Sequence, residues 1–177
     1  ELWMKIQGMV YGQYMKNADI MDGFESFLTA SKILNIDICI ISHKTKYGHF
    51  DKKKIDLRKE ALRWIKKNKI IDASKVFFAN TREEKISLIN DLNCDIFIDD
   101  LIEVLDHENL NKNIKRIHLS SRNSSKTKNF SNWYEIKKNI FKNNENFIKR
   151  AFEANTEKKI IQINSVEGRG NSKIFKI

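Results

Sequence analysis

Between residues 21 and 121, short β-branched apolar runs alternate with amphipathic helical patterns, and this alternation limits the possible folds more than any other feature. MDGFESFLTASKIL (21–34) brings Phe24, Phe27, Leu28, Ser31 and Leu34 to one face at helical spacing, with Asp22 as the expected N-cap. IDICIIS (36–42) follows as a continuous apolar run of the kind that makes a strand covered on both faces. After a polar loop (43–54), IDLRKEALRWIKKNKI (55–70) predicts a helix with Leu57, Ala61, Trp64 and Ile65 inward. KVFFAN (75–80) is the second strand. TREEKISLINDL (81–92) is a helix with Thr81 as cap and Ile86, Ile89 and Leu92 on its apolar side. CDIFIDD (94–100), a short helix (101–108) and IKRIHLSS (114–121) complete the series. Strands separated by helices of this length imply β-α-β units with right-handed crossovers. The expected class is α/β, with a three-layer Rossmann-like parallel sheet.

Beyond residue 121 the pattern changes. Residues 122–132 are polar and read as a loop. Two helical patterns follow, one on Trp133, Ile136, Ile140 and Phe141, the other on Phe147, Ile148, Ala151 and Phe152. KKIIQINS (158–165) and SKIFKI (172–177), joined by a glycine turn, predict a β-hairpin. Three segments result: a core (1–121), a helical and linker segment (122–146), and the start of a possible second unit (147–177).

Composition narrows the function classes. The net charge is +10, yet residues 1–111 hold 17 Lys and Arg against 18 Asp and Glu, whereas residues 112–177 hold 16 against 5. Basicity therefore belongs to the tail. Lys, Ile and Asn total 71 of 177 residues, and all three have A/T-rich codons, so base composition accounts for much of it. Nucleic acid is kept only as an alternative partner. No apolar run approaches the roughly 18 residues that span a bilayer, so no membrane partner is expected. Cys39 and Cys94 each sit in an apolar run and read as reduced packing residues, which fits a cytoplasmic location.

Ligands of open parallel sheets bind at the carboxyl ends of the strands. The first strand ends in Ser42, followed by His43, Lys44 and Thr45; the third ends in Asp99 and Asp100; Lys85 lies near the start of the helix between. A hydroxyl, an ammonium and two carboxylates on one rim suit phosphate chemistry. Ser42, with neighbouring backbone N–H groups, can hold phosphate oxygens, and Lys85 can neutralise developing negative charge. Asp99 and Asp100 can hold Mg²⁺, which prefers carboxylate and water oxygens. His43 and His49 read mainly as loop histidines, and Trp3, Tyr11 and Tyr14 as packing residues, with the lining of a substrate entrance as the alternative for that segment.

The ordered set IISHK, TREEKISLI and IFIDDLIEV resembles the second, third and fourth motifs of the haloacid dehalogenase (HAD) superfamily of phosphohydrolases. IMDGFESFL resembles the helix that leads into that Ser-ending strand, and the likeness spans about residues 10–121. It implies a Mg²⁺-dependent phosphatase acting on a small phosphorylated substrate. Ser42 and Lys85 would stabilise phosphoryl oxygens, and Asp99 and Asp100 would hold the metal. One departure matters: the family's DxDx(T/V) motif, which carries the nucleophilic Asp and the acid/base Asp on the first core strand, is not in this sequence. The family pattern would place it upstream of Glu1, so the expectation is a core lacking its nucleophile strand and inactive alone. In that pattern the strand lies between the Ser-ending and Asp-ending strands, which without it must pair directly or leave a gap.

INSVEGRGNSKIFKI resembles the glycine-rich first hairpin of aminoglycoside-phosphotransferase-like and choline-kinase-like enzymes. That likeness would make Gly168, Gly170, Asn171 and Ser172 a nucleotide loop; a plain hairpin is the alternative. For the whole chain, the rivals are a non-catalytic Rossmann-like module binding a phosphate-bearing ligand, and a basic nucleic-acid-associated protein.

Overall fold

The computed structural model describes residues 1–121 and 128–141, Glu153, and the strands at 164–167 and 173–176. It is a mixed α/β structure. Helix α1 (Leu2–Tyr11) is followed by α2 (Phe24–Ile33), β1 (Ile40–His43), α3 (Leu57–Lys67), β2 (Val76–Ala79), α4 (Arg82–Asp91), β3 (Ile96–Asp99), α5 (Ile102–Leu105), β4 (Lys115–Leu119), β5 (Lys128–Phe130), α6 (Trp133–Ile140), β6 (Asn164–Glu167) and β7 (Lys173–Lys176).

Local chemistry sets several boundaries. Asp56 caps α3, its carboxylate accepting from Arg58 N–H and Lys59 N–H at 3.1 and 3.0 Å. Thr81 caps α4 through Glu84 N–H at 3.1 Å, and Asn132 caps α6 through Glu135 N–H at 3.0 Å. Helix α2 departs from expectation: its cap is Gly23, not Asp22. Gly23 has φ +83°, and a Cβ there would lie 2.9 Å from the Tyr134 backbone nitrogen. Only glycine combines that left-handed turn with so close an approach.

The strands form separate small sheets. β1 pairs with β2 in parallel, from Ile40↔Val76 to His43↔Ala79. β3, β4 and β5 form a parallel three-stranded sheet in that order, and β6 pairs with β7 as an antiparallel hairpin. Among the described residues β1 and β3 are not hydrogen-bonded to each other. Direct pairing of the Ser-ending and Asp-ending strands is therefore not what forms among the described residues.

Alternation along β3 shows how the layers are built. Phe97 joins Ile86 and Ile89 of α4 and Val104 and Leu105 of α5 in one cluster. Its neighbours Ile96 and Ile98 pack the other way, against Phe27 of α2, Ile117 of β4 and Ile136 of α6. Helices therefore cover opposite faces of this sheet. An aromatic group of Phe24, Phe27, Trp133 and Phe141 ties α2 to α6, with ring centroids 4.7–6.5 Å apart. Leu28, Ile65 and Ile70 pack α2 and α3 on Ile40 and Val76.

Three further expectations change. Trp3 and Tyr11 of α1, which buries none of its residues, and Tyr14 beyond it are exposed, with the Lys44 ammonium over the Tyr11 ring. β5 lies within the stretch expected to be loop, added to the edge of β4. The strand expected from residue 36 begins at Ile40, where its ladder to Val76 starts. The hairpin forms, its first strand at Asn164–Glu167. The proposed boundary at 142–146, the pattern on Phe147, Ile148, Ala151 and Phe152, and the loop residues Gly168, Gly170, Asn171 and Ser172 lie outside the described residues. No helix among the described residues is long and apolar enough to cross a membrane.

Candidate functional site

The carboxyl ends of the strands carry two polar groups, one on each side of the break between the sheets. At the β3–β4 end, Lys85 of α4 points inward and is only 7% exposed; Asp99, closing β3, is 9% exposed. A lysine and a carboxylate are buried only when paired. Lys85 Nζ donates to Asp99 Oδ2 at 2.5 Å, and Leu101 N–H donates to Asp99 Oδ1 at 2.9 Å. The Lys85 ammonium also lies 5.6 Å from the Phe97 ring centroid. Local pairing of Lys85 with Glu83 or Glu84 is not what forms: Glu84 instead accepts from the Asn80 backbone N–H.

Asp100 behaves differently from its neighbour. Its side chain is exposed, so its charge needs no partner. Its carbonyl accepts from His118 Nε2 at 3.1 Å. His118 is buried opposite Asp99 on β4, and its Nδ1 has no partner.

At the β1–β2 end, His43 Nε2 donates to the Asn80 carbonyl at 2.9 Å. Arg58, from the first turn of α3, donates from Nε to the Lys44 carbonyl at 2.8 Å and from Nη2 to Asn80 Oδ1 at 2.6 Å. Lys44 N–H bonds to the Ala79 carbonyl at 3.0 Å, continuing the ladder, and its ammonium sits 3.9 Å from the Tyr11 ring centroid. Burial pushes the Lys44 ammonium below its usual range. Ser42 lies half-buried in β1, opposite Phe78. Thr45 Oγ1 is turned to the Tyr47 carbonyl at 2.9 Å, a local turn contact.

The structure thus joins Lys85 directly to Asp99, and clusters His43 and Lys44 around Asn80 and Arg58. It shows no contact from Ser42 to the Lys85–Asp99 pair among the described residues. Helix α4 links the two groups, since it starts just after Asn80 and places Lys85 one turn in, with Lys85 N–H on the Thr81 carbonyl at 3.2 Å. Sequence reasoning missed Arg58, Asn80 and His118. A polar residue closing KVFFAN, and a histidine inside the apolar run IKRIHLS, were the available signals.

Mg²⁺ asks for hard oxygen donors and retains several waters, so one or two carboxylates suffice. Asp100 meets that requirement, being an exposed carboxylate beside Asp99. Both Asp99 oxygens already accept hydrogen bonds, which leaves it as the counter-ion of Lys85 with fewer lone pairs to offer. Among the described residues no group of three or more His, Cys, Asp or Glu side chains is arranged to hold a metal. Compared with protein-family models, curated proteins and solved structures, the chain matches none.

Proposed function

We infer that the chain is the HAD-like part of a Mg²⁺-dependent phosphohydrolase for a small phosphorylated substrate, with a Rossmann-like arrangement of its strands. The observation that carries this reading is the break between β1 and β3, flanked by the ion pair of Lys85 with Asp99. In the arrangement this reading assumes, a further parallel strand would pair with both β1 and β3, and its carboxyl end would fall beside this pair. A carboxylate there would be the nucleophile. Lys85 would then turn from Asp99 to the phosphoryl oxygens, and Ser42, whose hydroxyl the described contacts leave uncommitted, would donate to them. Asp100, with Asp99, would hold the metal, which supplies charge neutralisation when bound.

This chain contains no DxDx(T/V) motif, so the reading predicts no Asp-dependent turnover of an aryl phosphate by this polypeptide alone. It predicts that orthophosphate binds at the rim, more weakly in Ser42→Ala and not in Lys85→Met. Steady turnover of the aryl phosphate, or unchanged phosphate binding in both variants, would refute it. A second reading, a phosphate-binding module without catalysis, is favoured by the Lys85–Asp99 pair itself. A carboxylate already neutralised by lysine needs no metal, and phosphate binding unaffected by Mg²⁺ would select this reading.

A further inference from the structure

His118 is a polar side chain buried inside an apolar strand, 6% exposed, between Ile117 and Leu119 of β4. Alternation fixes the face it occupies. Ile117 and its register partner Ile98 pack on the side covered by α2 and α6. His118 and its register partner Asp99 therefore stand on the other side, with Phe97 and Lys85. There His118 Nε2 donates to the Asp100 carbonyl at 3.1 Å, while Nδ1 is buried without a partner. A buried nitrogen with no partner opposes stability, and an aliphatic side chain would fill the same place without that penalty. What histidine adds at this position is a donor directed at one carbonyl.

That carbonyl belongs to the acidic corner. β3 ends at Asp99, so the Asp100 carbonyl lies past the strand and is met by a side chain instead. Leu101 N–H, on the other side of the same turn, donates to Asp99 Oδ1 at 2.9 Å. The exposed Asp100 carboxylate is displayed between these two contacts. Arg116, two residues before His118 on β4, holds the far end of the segment, from Nη1 to the Leu105 carbonyl at 2.8 Å and from Nη2 to the Leu110 carbonyl at 3.0 Å. Of these two β4 side chains, His118 is the one at the corner.

We propose that His118 is a positioning residue for the metal site: by fixing the Asp100 peptide it sets where the Asp100 carboxylate stands relative to Asp99. The inference rests on the phosphohydrolase reading and extends it to a side chain that touches neither metal nor substrate. Two carboxylates hold a cation well when both already stand close to their bound places. Without the His118 donor, the Asp100 peptide gains freedom about the bonds on either side of it, and ordering it again at each binding event costs conformational entropy. Loss of such an outer contact weakens metal binding roughly 10- to 100-fold.

The test is calorimetric titration of Mg²⁺ into the full chain and its variants, each checked for folding by circular dichroism melting. Wild type should bind and Asp100→Asn should not, which establishes the site. His118→Leu keeps apolar bulk, removes the donor, and should bind Mg²⁺ roughly 10- to 100-fold more weakly. His118→Gln carries an amide N–H out to where Nε2 stands and should restore affinity to near that of wild type. His118→Asn holds its amide nearer the backbone, short of the carbonyl, and should bind as weakly as the Leu variant. The contrast of Gln with Asn decides the matter even where the Leu variant fails to fold. Arg116→Met loosens the far end of the segment, so its melting temperature should fall while its Mg²⁺ affinity stays that of wild type. Wild-type affinity in the Leu or Asn variant, a Gln variant as weak as Asn, or an equal loss in Arg116→Met would overturn the role of His118 and leave the metal site standing. No Mg²⁺ binding to wild type would overturn the phosphohydrolase reading, and the inference with it.

Discussion

Replacing Asp99 by Asn tests whether the ion pair at the end of β3 governs the fold around it. Lys85 and Asp99 are nearly enclosed, with side-chain exposures of 8% and 6%. Asn keeps an oxygen for Leu101 N–H but leaves the ammonium of Lys85 buried without a counter-charge. Breaking a buried pair from one side costs about 3–5 kcal/mol. With a urea slope of about 2 kcal/mol per molar, the unfolding midpoint should fall by roughly 2 M at an unchanged slope. Lys85→Met should cost a similar amount, since it strands the carboxylate. The combined Lys85→Met, Asp99→Leu variant removes both charges and should recover to within about 1 kcal/mol of wild type. Urea unfolding of the four proteins, followed by circular dichroism, gives the coupling directly, and it should exceed about 2 kcal/mol. Single variants within about 0.5 kcal/mol of wild type, or additive effects, would show that the pair is solvated in solution and would refute the reasoning.

Two other perturbations follow from the described geometry. Gly23→Ala should destabilise the chain by more than about 1 kcal/mol, because it adds left-handed strain and drives a Cβ against Tyr134; a melting temperature equal to wild type would contradict the tight approach of α2 to α6. Lys44 titrates below its usual range because burial penalises its charge, so the folded chain binds fewer protons there than the unfolded chain. Stability should therefore rise with pH from that lowered value up to the ordinary lysine value of 10.5, and Lys44→Met should flatten the rise; parallel pH profiles of the two proteins would remove Lys44 as its source.

The helices and strands of the core were legible because their signals are local. Thr81 caps where its side chain predicts, and Leu57, Ala61 and Ile65 face inward at helical spacing. Gly23 was not legible as a cap, because the close approach that excludes a side chain there comes from Tyr134, which is distant in sequence. Helix α1 was missed since its apolar residues find no core among the described elements, and packing residues were expected there instead. At the site, Lys85 and Asp99 were both anticipated, but their direct pairing was not. Sequence order puts the two residues at one rim without saying that each neutralises the other. Arg58 and Asn80 gained roles only because α3 and β2 converge on the Lys44 carbonyl and each other.

Calorimetric titration of Mg²⁺ into wild type and Asp100→Asn tests the phosphohydrolase reading most directly. Asp100 is exposed, so its substitution should leave the fold and the melting temperature unchanged. The account predicts Mg²⁺ binding to wild type at the acidic end of β3, and its loss in the variant. Equal binding to both proteins, or none to wild type at millimolar Mg²⁺, would contradict it.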